Sequence, residues 1–363
     1  MEPSLEAAWS AAWRDFLCNR VAVAERRAAG WLRLLDPALS QPSDPELLVT
    51  LADLAHIAAA ARGDVGLLRQ AAAAYEAHLR LEPSNEAALR MLAETFLRLR
   101  DYAAAFACFE RLHAASLSDA APVDVAPFRL LHDAECIEEA VRLGADRAAL
   151  TLTKDWRSLA DQLTQSHACP ARARCDVCVL DERQRGLIGS RFGQPLPIPP
   201  SREAAPAIPA AILRAGFDWR QAEAVYARER VVVVDDLLDE AALRELQLYS
   251  RHGAHFRTQR RGYLGCFPAD GLTHPLVLSL VTELEKAAPS IFKEHALALW
   301  WMFKYDESNP DGIGIHADPA AVNINLWLTD ESACLEGGGL AIYKHVPQLE
   351  QATQACPPSK HAC

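Results

Sequence analysis

One histidine and one aspartate near the C-terminal end have the types and the spacing of metal ligands. His316 and Asp318 are separated by a single residue, and no other His-x-Asp triplet occurs in the 363 residues. In a β-strand, side chains two residues apart point to the same face, so the imidazole and the carboxylate would converge on one point. Such a pair supplies two ligands of the two-histidine, one-carboxylate triad that binds non-haem Fe(II).

The surroundings of this pair favour the metal-ligand interpretation over a structural one. A glycine-containing turn at 309–312 precedes it, and a segment rich in Asn and Trp at 321–328 follows it. The alternative is that His316 is a hydrogen-bonded core histidine and that Asp318, next to Pro319, begins a turn. The triplet by itself does not decide between these, because short motifs recur by chance.

The elements that would position the pair have the periodicity of strands. Val231–Leu238 is a β-branched run that predicts a buried strand, and Asp239 is predicted to cap a helix that extends through Leu248. Another helix is predicted over His274–Ala287. Short apolar segments separated by Gly, Pro, Asn and Asp follow at 298–305, 312–318, 321–328 and 338–344. The pattern predicts a jelly roll with a few helices on one side.

These segments resemble the prolyl-4-hydroxylase-like 2-oxoglutarate/Fe(II) dioxygenases. The similar parts are an opening strand and helix, a tyrosine-to-metal segment and a glycine turn, found here at 231–248, 303–318 and 337–340. The resemblance covers residues 225–347. Proteins with tetratricopeptide repeats ahead of such a domain have a similar overall plan.

The resemblance implies a set of roles and a reaction. His316 and Asp318 would bind Fe(II), and Tyr305 would hydrogen-bond 2-oxoglutarate. Three side chains on the following strand would line the pocket, namely Asn323, Asn325 and Trp327. The implied activity is hydroxylation of an unknown, possibly peptidyl, acceptor at a C–H bond, coupled to decarboxylation of 2-oxoglutarate and supported by ascorbate. For the two asparagines, the alternative is a structural hydrogen-bonding role.

Two groups that this family requires, a distal histidine and a basic residue for 2-oxoglutarate, have only weak candidates. His345 and His361 are the histidines that follow the pair, and Lys344 and Lys360 are the nearby basic residues. The segment 348–363 has no strand pattern and predicts an unstructured tail. We therefore expect either a truncated, inactive oxygenase domain with an incomplete jelly roll or a site that another element completes.

The N-terminal half, residues 1–163, predicts an all-α array of helical repeats. Its apolar residues recur at helical spacing. Ala71 and Tyr75 recur 34 residues later as Ala105 and Phe109, a period that resembles the tetratricopeptide repeat. Such an array offers a concave surface for a partner peptide, or it serves as a helical support for the domain that follows. A non-catalytic interaction scaffold is accordingly the rival to the enzyme hypothesis.

Local features predict where individual helices begin in this half. Asn85 is predicted to cap a helix from Glu86, and Arg100–Tyr102 to form the turn into the next helix. The adjacent pair His132 and Asp133 has a catalytic appearance, but neighbouring residues on a helix do not share a face. We therefore assign that pair a structural role.

Residues 164–224 predict a proline-rich linker between the two halves. Four ligand-type side chains occur within twelve residues at its start, namely His167, Cys169, Cys175 and Cys178. They could complete a tetrahedral zinc site, which would make the protein a zinc-dependent scaffold. The alternative is that these cysteines are reduced and loosely packed.

Charge, hydropathy and cysteine content argue against several functional classes. The net charge of −11 disfavours nucleic-acid binding, and no apolar run is long enough to cross a bilayer. The N-terminus lacks the pattern of a secretory signal, and the ten cysteines are scattered, so we expect reduced thiols and a cytoplasmic protein. The predicted fold class is α+β and multidomain: a tetratricopeptide-like array, a linker, an incomplete double-stranded β-helix and a tail.

Overall fold

The computed structural model describes most of the chain in two compact units. The described residues are 5–17, 21–35, 45–60, 63–116, 122–166, 176–189, 192, 211–252, 256–260, 262–306, 316, 318, 320–330, 332 and 340–342. The first unit extends to Ile324, and the second begins at Asn325. No helix among the described residues is both long enough and apolar enough to span a membrane.

Six successive helices form the N-terminal array, and each packs against the next along the chain. They are α1 (Leu5–Leu17), α2 (Val21–Leu35), α3 (Pro45–Ala60), α4 (Val65–Leu81), α5 (Glu86–Arg98) and α6 (Tyr102–Ser116). This succession of packed helix pairs is compatible with a helical-repeat array. The residues that share the 34-residue period, Ala71, Tyr75, Ala105 and Phe109, are all buried in its core.

The helix boundaries predicted in the array are confirmed. They could be predicted from the sequence because local hydrogen bonds fix them. The Asn85 side chain accepts a hydrogen bond from the Ala88 amide at 3.0 Å, which caps the start of α5. In the turn before α6, Arg100 adopts a positive φ of 59°. The Asp101 side chain then accepts a hydrogen bond from the Ala104 amide at 3.1 Å.

A second helical layer follows the array and includes part of the segment predicted as a linker. Its elements are β1 (Asp124–Val125), α7 (Pro127–Arg142), α8 (Leu150–Ser166), β2 (Cys178–Val179) and α9 (Glu182–Ile188). β1 and β2 pair antiparallel. The Trp156 indole donates a hydrogen bond to the Ile188 carbonyl at 3.1 Å, so the described residues of this segment pack against α8.

The C-terminal part of the first unit combines helices with a three-stranded antiparallel sheet in the order β3-β4-β5. The helices are α10 (Trp219–Glu229), α11 (Glu240–His252), α12 (Pro275–Ala287) and α13 (Pro289–Phe292); the strands are β3 (Thr258–Arg260), β4 (Tyr263–Cys266) and β5 (Met302–Tyr305). The predicted cap is confirmed, because Asp239 accepts a hydrogen bond from the Ala241 amide at 2.8 Å. The helix predicted over His274–Ala287 is also present, as α12. The α+β character is thus present, and the described residues contain no closed barrel or jelly roll.

The strand predicted over Val231–Leu238 is wrong. Residues 231–234 belong to neither a helix nor a strand, and Val233 is 80% exposed. Only Leu238 forms an isolated antiparallel bridge, with Leu213. A β-branched run favours an extended backbone, but a strand also needs a partner along its length. The described residues provide such a partner only at the end of this run.

Candidate functional site

The small sheet β3-β4-β5 has two chemically different faces, and they follow the alternation of side chains along each strand. On one face, Leu264 and Met302 pack with Phe128 of α7 and with Phe256 in a common apolar cluster. Lys304, two residues after Met302, lies on this same face. Among the described residues, it is therefore this face of the sheet that packs against α7.

The opposite face carries a group of aromatic rings. The ring centroids of Tyr263 and Phe303 are 4.8 Å apart, and those of Tyr263 and Tyr305 are 5.9 Å apart. Gly265 makes this packing feasible, because a Cβ atom there would lie 3.1 Å from the Phe267 ring and 3.3 Å from the Phe303 ring. We refer to Tyr263, Phe303 and Tyr305 as the aromatic face.

Tyr305 is the last residue of β5. Of the three residues of the aromatic face, it is the nearest to His316 in sequence. It pairs in register with Tyr263, and it is 53% exposed. Partial burial, together with the neighbouring Tyr263, raises the pKa of the Tyr305 phenol. The phenol is therefore a protonated hydrogen-bond donor at neutral pH, as a ligand for a carboxylate or keto oxygen must be.

His316 and Asp318 lie close together, and neither of these two residues is in a helix or a strand. The distance from His316 Nε2 to Asp318 Oδ1 is 3.6 Å. The second carboxylate oxygen, Asp318 Oδ2, accepts a hydrogen bond from Asn323 Nδ2 at 2.9 Å. The His316 side chain is 55% exposed and that of Asp318 is 28% exposed, so solvent and small ligands reach both.

The geometry of this pair fits a shared metal ion. An ion bonded to both atoms at about 2.0–2.2 Å requires that they lie no more than about 4.4 Å apart. The observed 3.6 Å meets that condition, and Asn323 leaves Oδ1 available. In the part of the chain that the structure describes, no group of three or more His, Cys, Asp or Glu side chains is placed to hold a metal. A third ligand is thus not found among the described residues.

The other predicted site residues are distributed between the second unit and residues outside the description. Asn325 and Trp327 belong to the second unit, where both are exposed, Trp327 to 64%. Their proposed pocket roles stay predictions. The candidate third ligands and carboxylate-binding residues all lie outside the described residues; these are His345, His361, Lys344 and Lys360.

The zinc hypothesis also depends mostly on residues outside the description. Cys178 lies on β2, where its thiol contacts the Asp176 carbonyl at 3.6 Å. Burial, and secondarily the charge of Asp176, raises the pKa of this thiol. His167, Cys169 and Cys175 are outside the described residues, so the site stays a prediction.

Sequence reasoning missed a cluster that joins α7 to β5. Lys304 Nζ lies 2.5 Å from Glu135 Oε2 and 3.2 Å from His132 Nδ1. His132 is buried and points to the sheet, whereas Asp133 pairs with Arg129 at 2.9 Å, as expected for neighbours on different faces of a helix. The only sequence signal for this cluster was a lysine alternating with aromatic residues in β5.

Comparison of the sequence with protein-family models, with curated proteins and with solved structures found no match. The fold and the site by themselves define an α+β protein. In it, packed helices carry a small antiparallel sheet, and an imidazole–carboxylate pair follows the last strand of that sheet.

Proposed function

We propose that this protein is a 2-oxoglutarate/Fe(II)-dependent oxygenase of the prolyl-4-hydroxylase-like class, with the helical array as its support. The observation that carries the proposal is the 3.6 Å approach of His316 Nε2 to Asp318 Oδ1. The pair follows a strand whose last residue is a half-exposed tyrosine on an aromatic face. These are the positions at which the resemblance places two iron ligands and a co-substrate ligand.

The residues of this chain would each have a defined task. His316 and Asp318 hold the metal, and Asn323 orients the carboxylate by binding its second oxygen. Tyr305 donates its phenol proton to an oxygen of 2-oxoglutarate. When bound, iron would let O₂ act as the oxidant: one oxygen atom would go to the C–H bond and the other to 2-oxoglutarate, which is oxidised to succinate and CO₂. The protein's contribution is to position the reactants and to limit the access of water.

The test compares metal binding and turnover in the same proteins. Wild type should bind about one equivalent of Fe(II) under anaerobic conditions. In a separate assay with O₂ and ascorbate present, it should form succinate from 2-oxoglutarate. His316→Ala and Asp318→Ala should lose both properties. His295→Ala is the matched control, because His295 is exposed and lies outside the pair. Equal iron binding by wild type and His316→Ala would contradict the proposal.

A contact between α6 and Trp300 is consistent with the array serving as a support for the oxygenase domain. Phe106 and Phe109 of α6 contact the Trp300 ring, which comes from the segment just before β5. Through α6, the array is therefore in contact with the C-terminal part of the first unit. The rival scaffold function would have to use another surface of the array. It becomes the leading candidate if the iron-binding test fails.

A further inference from the structure

Lys304 of β5, next in sequence to Tyr305, contacts α7 through Glu135 and His132. We infer that Lys304 is a positioning residue: its attachment to Glu135 and His132 fixes the register of β5 and so presents Tyr305 on the aromatic face. The consequence for catalysis rests on the proposed function, whereas the positioning itself can be measured without any turnover.

Three groups on α7 receive the Lys304 side chain. Its ammonium lies 2.5 Å from the Glu135 carboxylate and 3.2 Å from His132 Nδ1, and it lies 5.8 Å from the centre of the Phe128 ring. An ammonium group only donates hydrogen bonds, so this contact uses His132 Nδ1 as the acceptor. The other ring nitrogen, Nε2, lies 3.4 Å from the Cys136 thiol. Together these contacts give the lysine one position on α7.

The register of β5 needs such an attachment, because the strand is short. It has four residues, and among the described strands it pairs with β4 alone, Lys304 opposite Leu264 and Tyr305 opposite Tyr263. A slip by one residue would exchange the two faces of the strand. Tyr305 would then face the acidic side chain of Glu135, and the ammonium of Lys304 would face aromatic rings.

The charge on Lys304 makes the wrong register costly. In the observed register the ammonium has a carboxylate and an imidazole nitrogen as partners, and it lies over the Phe128 ring. In the slipped register it would lose both hydrogen-bond partners. A polar group that is satisfied in only one arrangement selects that arrangement, even when it adds little to the overall stability.

The decisive experiment follows the ionisation of Tyr305 by the ultraviolet absorbance of phenolate. Each protein is compared with its own Tyr305→Phe version, so that the difference reports this tyrosine alone. In wild type, burial and Tyr263 hold the pKa of Tyr305 above its ordinary value. Lys304→Met should lower that pKa towards the ordinary value, because the phenol leaves its place beside Tyr263. If Lys304 acted only as a nearby positive charge, its removal would raise the pKa instead.

Matched variants separate positioning from a general loss of structure. Lys304→Arg keeps a cationic donor and should retain the wild-type titration. Lys154→Met is the control, because Lys154 is exposed on α8 and its loss should change nothing. Should Lys304→Met not fold, Glu135→Gln decides the question, since it removes only the carboxylate partner and should shift the pKa in the same direction. An unchanged Tyr305 titration in whichever of these two variants folds overturns the inference.

Turnover provides a second, separable readout. If the proposed function holds, Lys304→Met should raise KM for 2-oxoglutarate by about tenfold with a smaller effect on kcat, because a binding group has moved. Absence of turnover in wild type would contradict the proposed function but would leave the titration result, and therefore the positioning role, intact.

Discussion

The indole ring of Trp300 is stacked on the ring of Phe106, with ring centroids 4.8 Å apart and planes inclined by 19°. Phe109 meets the same indole edge-on at 5.4 Å, and the indole nitrogen donates to the Leu272 carbonyl at 2.7 Å. One tryptophan therefore joins the array to the segment that enters β5. Further contacts reinforce this connection, since Arg100 of the turn before α6 donates to Glu285 of α12 at 2.9 Å.

Neighbouring tryptophans provide a matched test of this connection. Trp300→Ala should lower the free energy of unfolding by about 2–4 kcal/mol, because it leaves a cavity between Phe106 and Phe109. Trp301→Ala should cost clearly less, because the ring of Trp301 has Phe303 as its aromatic neighbour at 6.0 Å and takes no part in the α6 contact. Urea unfolding followed by circular dichroism measures both. Equal losses would show that Trp300 has no special role.

The hydrogen bond that Asn323 donates to Asp318 predicts that two neighbouring asparagines differ in their effect on metal affinity. Asn323→Ala removes the hydrogen bond to Asp318 Oδ2 and should weaken metal binding by about 10-fold. Asn325→Ala should leave the metal affinity unchanged, because among the described residues it is Asn323, and not Asn325, that donates a hydrogen bond to the Asp318 carboxylate. Anaerobic competition between the protein and a chromophoric Fe(II) chelator measures both affinities. Identical affinities for the two variants would argue against Asn323 as the group that orients Asp318.

A buried histidine in the array predicts a loss of stability in acid. His56 is fully buried; its Nδ1 lies 2.9 Å from Thr95 Oγ1, and its Nε2 has no hydrogen-bond partner among the described residues. Burial, and secondarily the positive charge of Arg98, lowers the pKa of His56 from 6.5 to about 3. The unfolded chain thus binds a proton that the folded chain rejects, so the stabilising effect of neutral His56 is present above pH 6.5 and is lost between pH 6.5 and pH 3.

Removing the titrating group should flatten this pH dependence. In His56→Leu, the decline in unfolding free energy below the ordinary histidine pKa should be shallower than in wild type by up to about 1.4 kcal/mol per pH unit. His295→Leu, which alters an exposed histidine, should keep the wild-type slope. Urea unfolding at a series of pH values measures the slopes, and parallel curves for wild type and His56→Leu would refute the assignment.

A buried carboxylate on α3 connects three helices of the array, α1, α3 and α4. Asp53 accepts hydrogen bonds from the indole nitrogens of Trp9 at 2.8 Å and Trp13 at 3.1 Å, and from the hydroxyl of Tyr75. Asp53→Asn exchanges one of these acceptors for a donor, so it should lower the free energy of unfolding by about 1.5–3 kcal/mol at neutral pH. Asp155→Asn, at an exposed position of α8, should have little effect in the same urea unfolding measurement.

The pH dependence of this difference has a defined sign. Burial raises the pKa of Asp53, although its three hydrogen bonds act in the opposite direction. The associated contribution to stability is fully present below the ordinary carboxyl pKa and is lost as the pH rises through the folded-state pKa. Asp53→Asn should abolish this component. If the free energy of unfolding had the same pH dependence in wild type and in Asp53→Asn over that range, this role of Asp53 would be contradicted.

Local features of the fold could be predicted from the sequence because their causes lie within a few residues. Asn85 and Asp239 cap helices through hydrogen bonds to amides three and two residues further on, at Ala88 and Ala241. The 34-residue period placed Tyr75 and Phe109 in the core of packed helices.

Pairings over long distances could not be predicted in this way. The run at 231–238 has the composition of a strand, but whether it forms one depends on what lies beside it, and the described residues place a bridge partner, Leu213, only at its last residue, Leu238. His316 and Asp318 were expected to converge through strand geometry; the closest atoms of their side chains lie 3.6 Å apart, but neither residue is in a strand.

The sequence by itself determined the helices and the residue types that could bind a metal, because helical periodicity, capping and ligand chemistry are properties of short segments. Only the tertiary structure decided that Lys304 meets Glu135, 169 residues away, and that Trp300 contacts the array. The physical reason is that such contacts depend on the path of the whole chain, and a short segment does not specify which distant group will complete its hydrogen bonds or cover its apolar face.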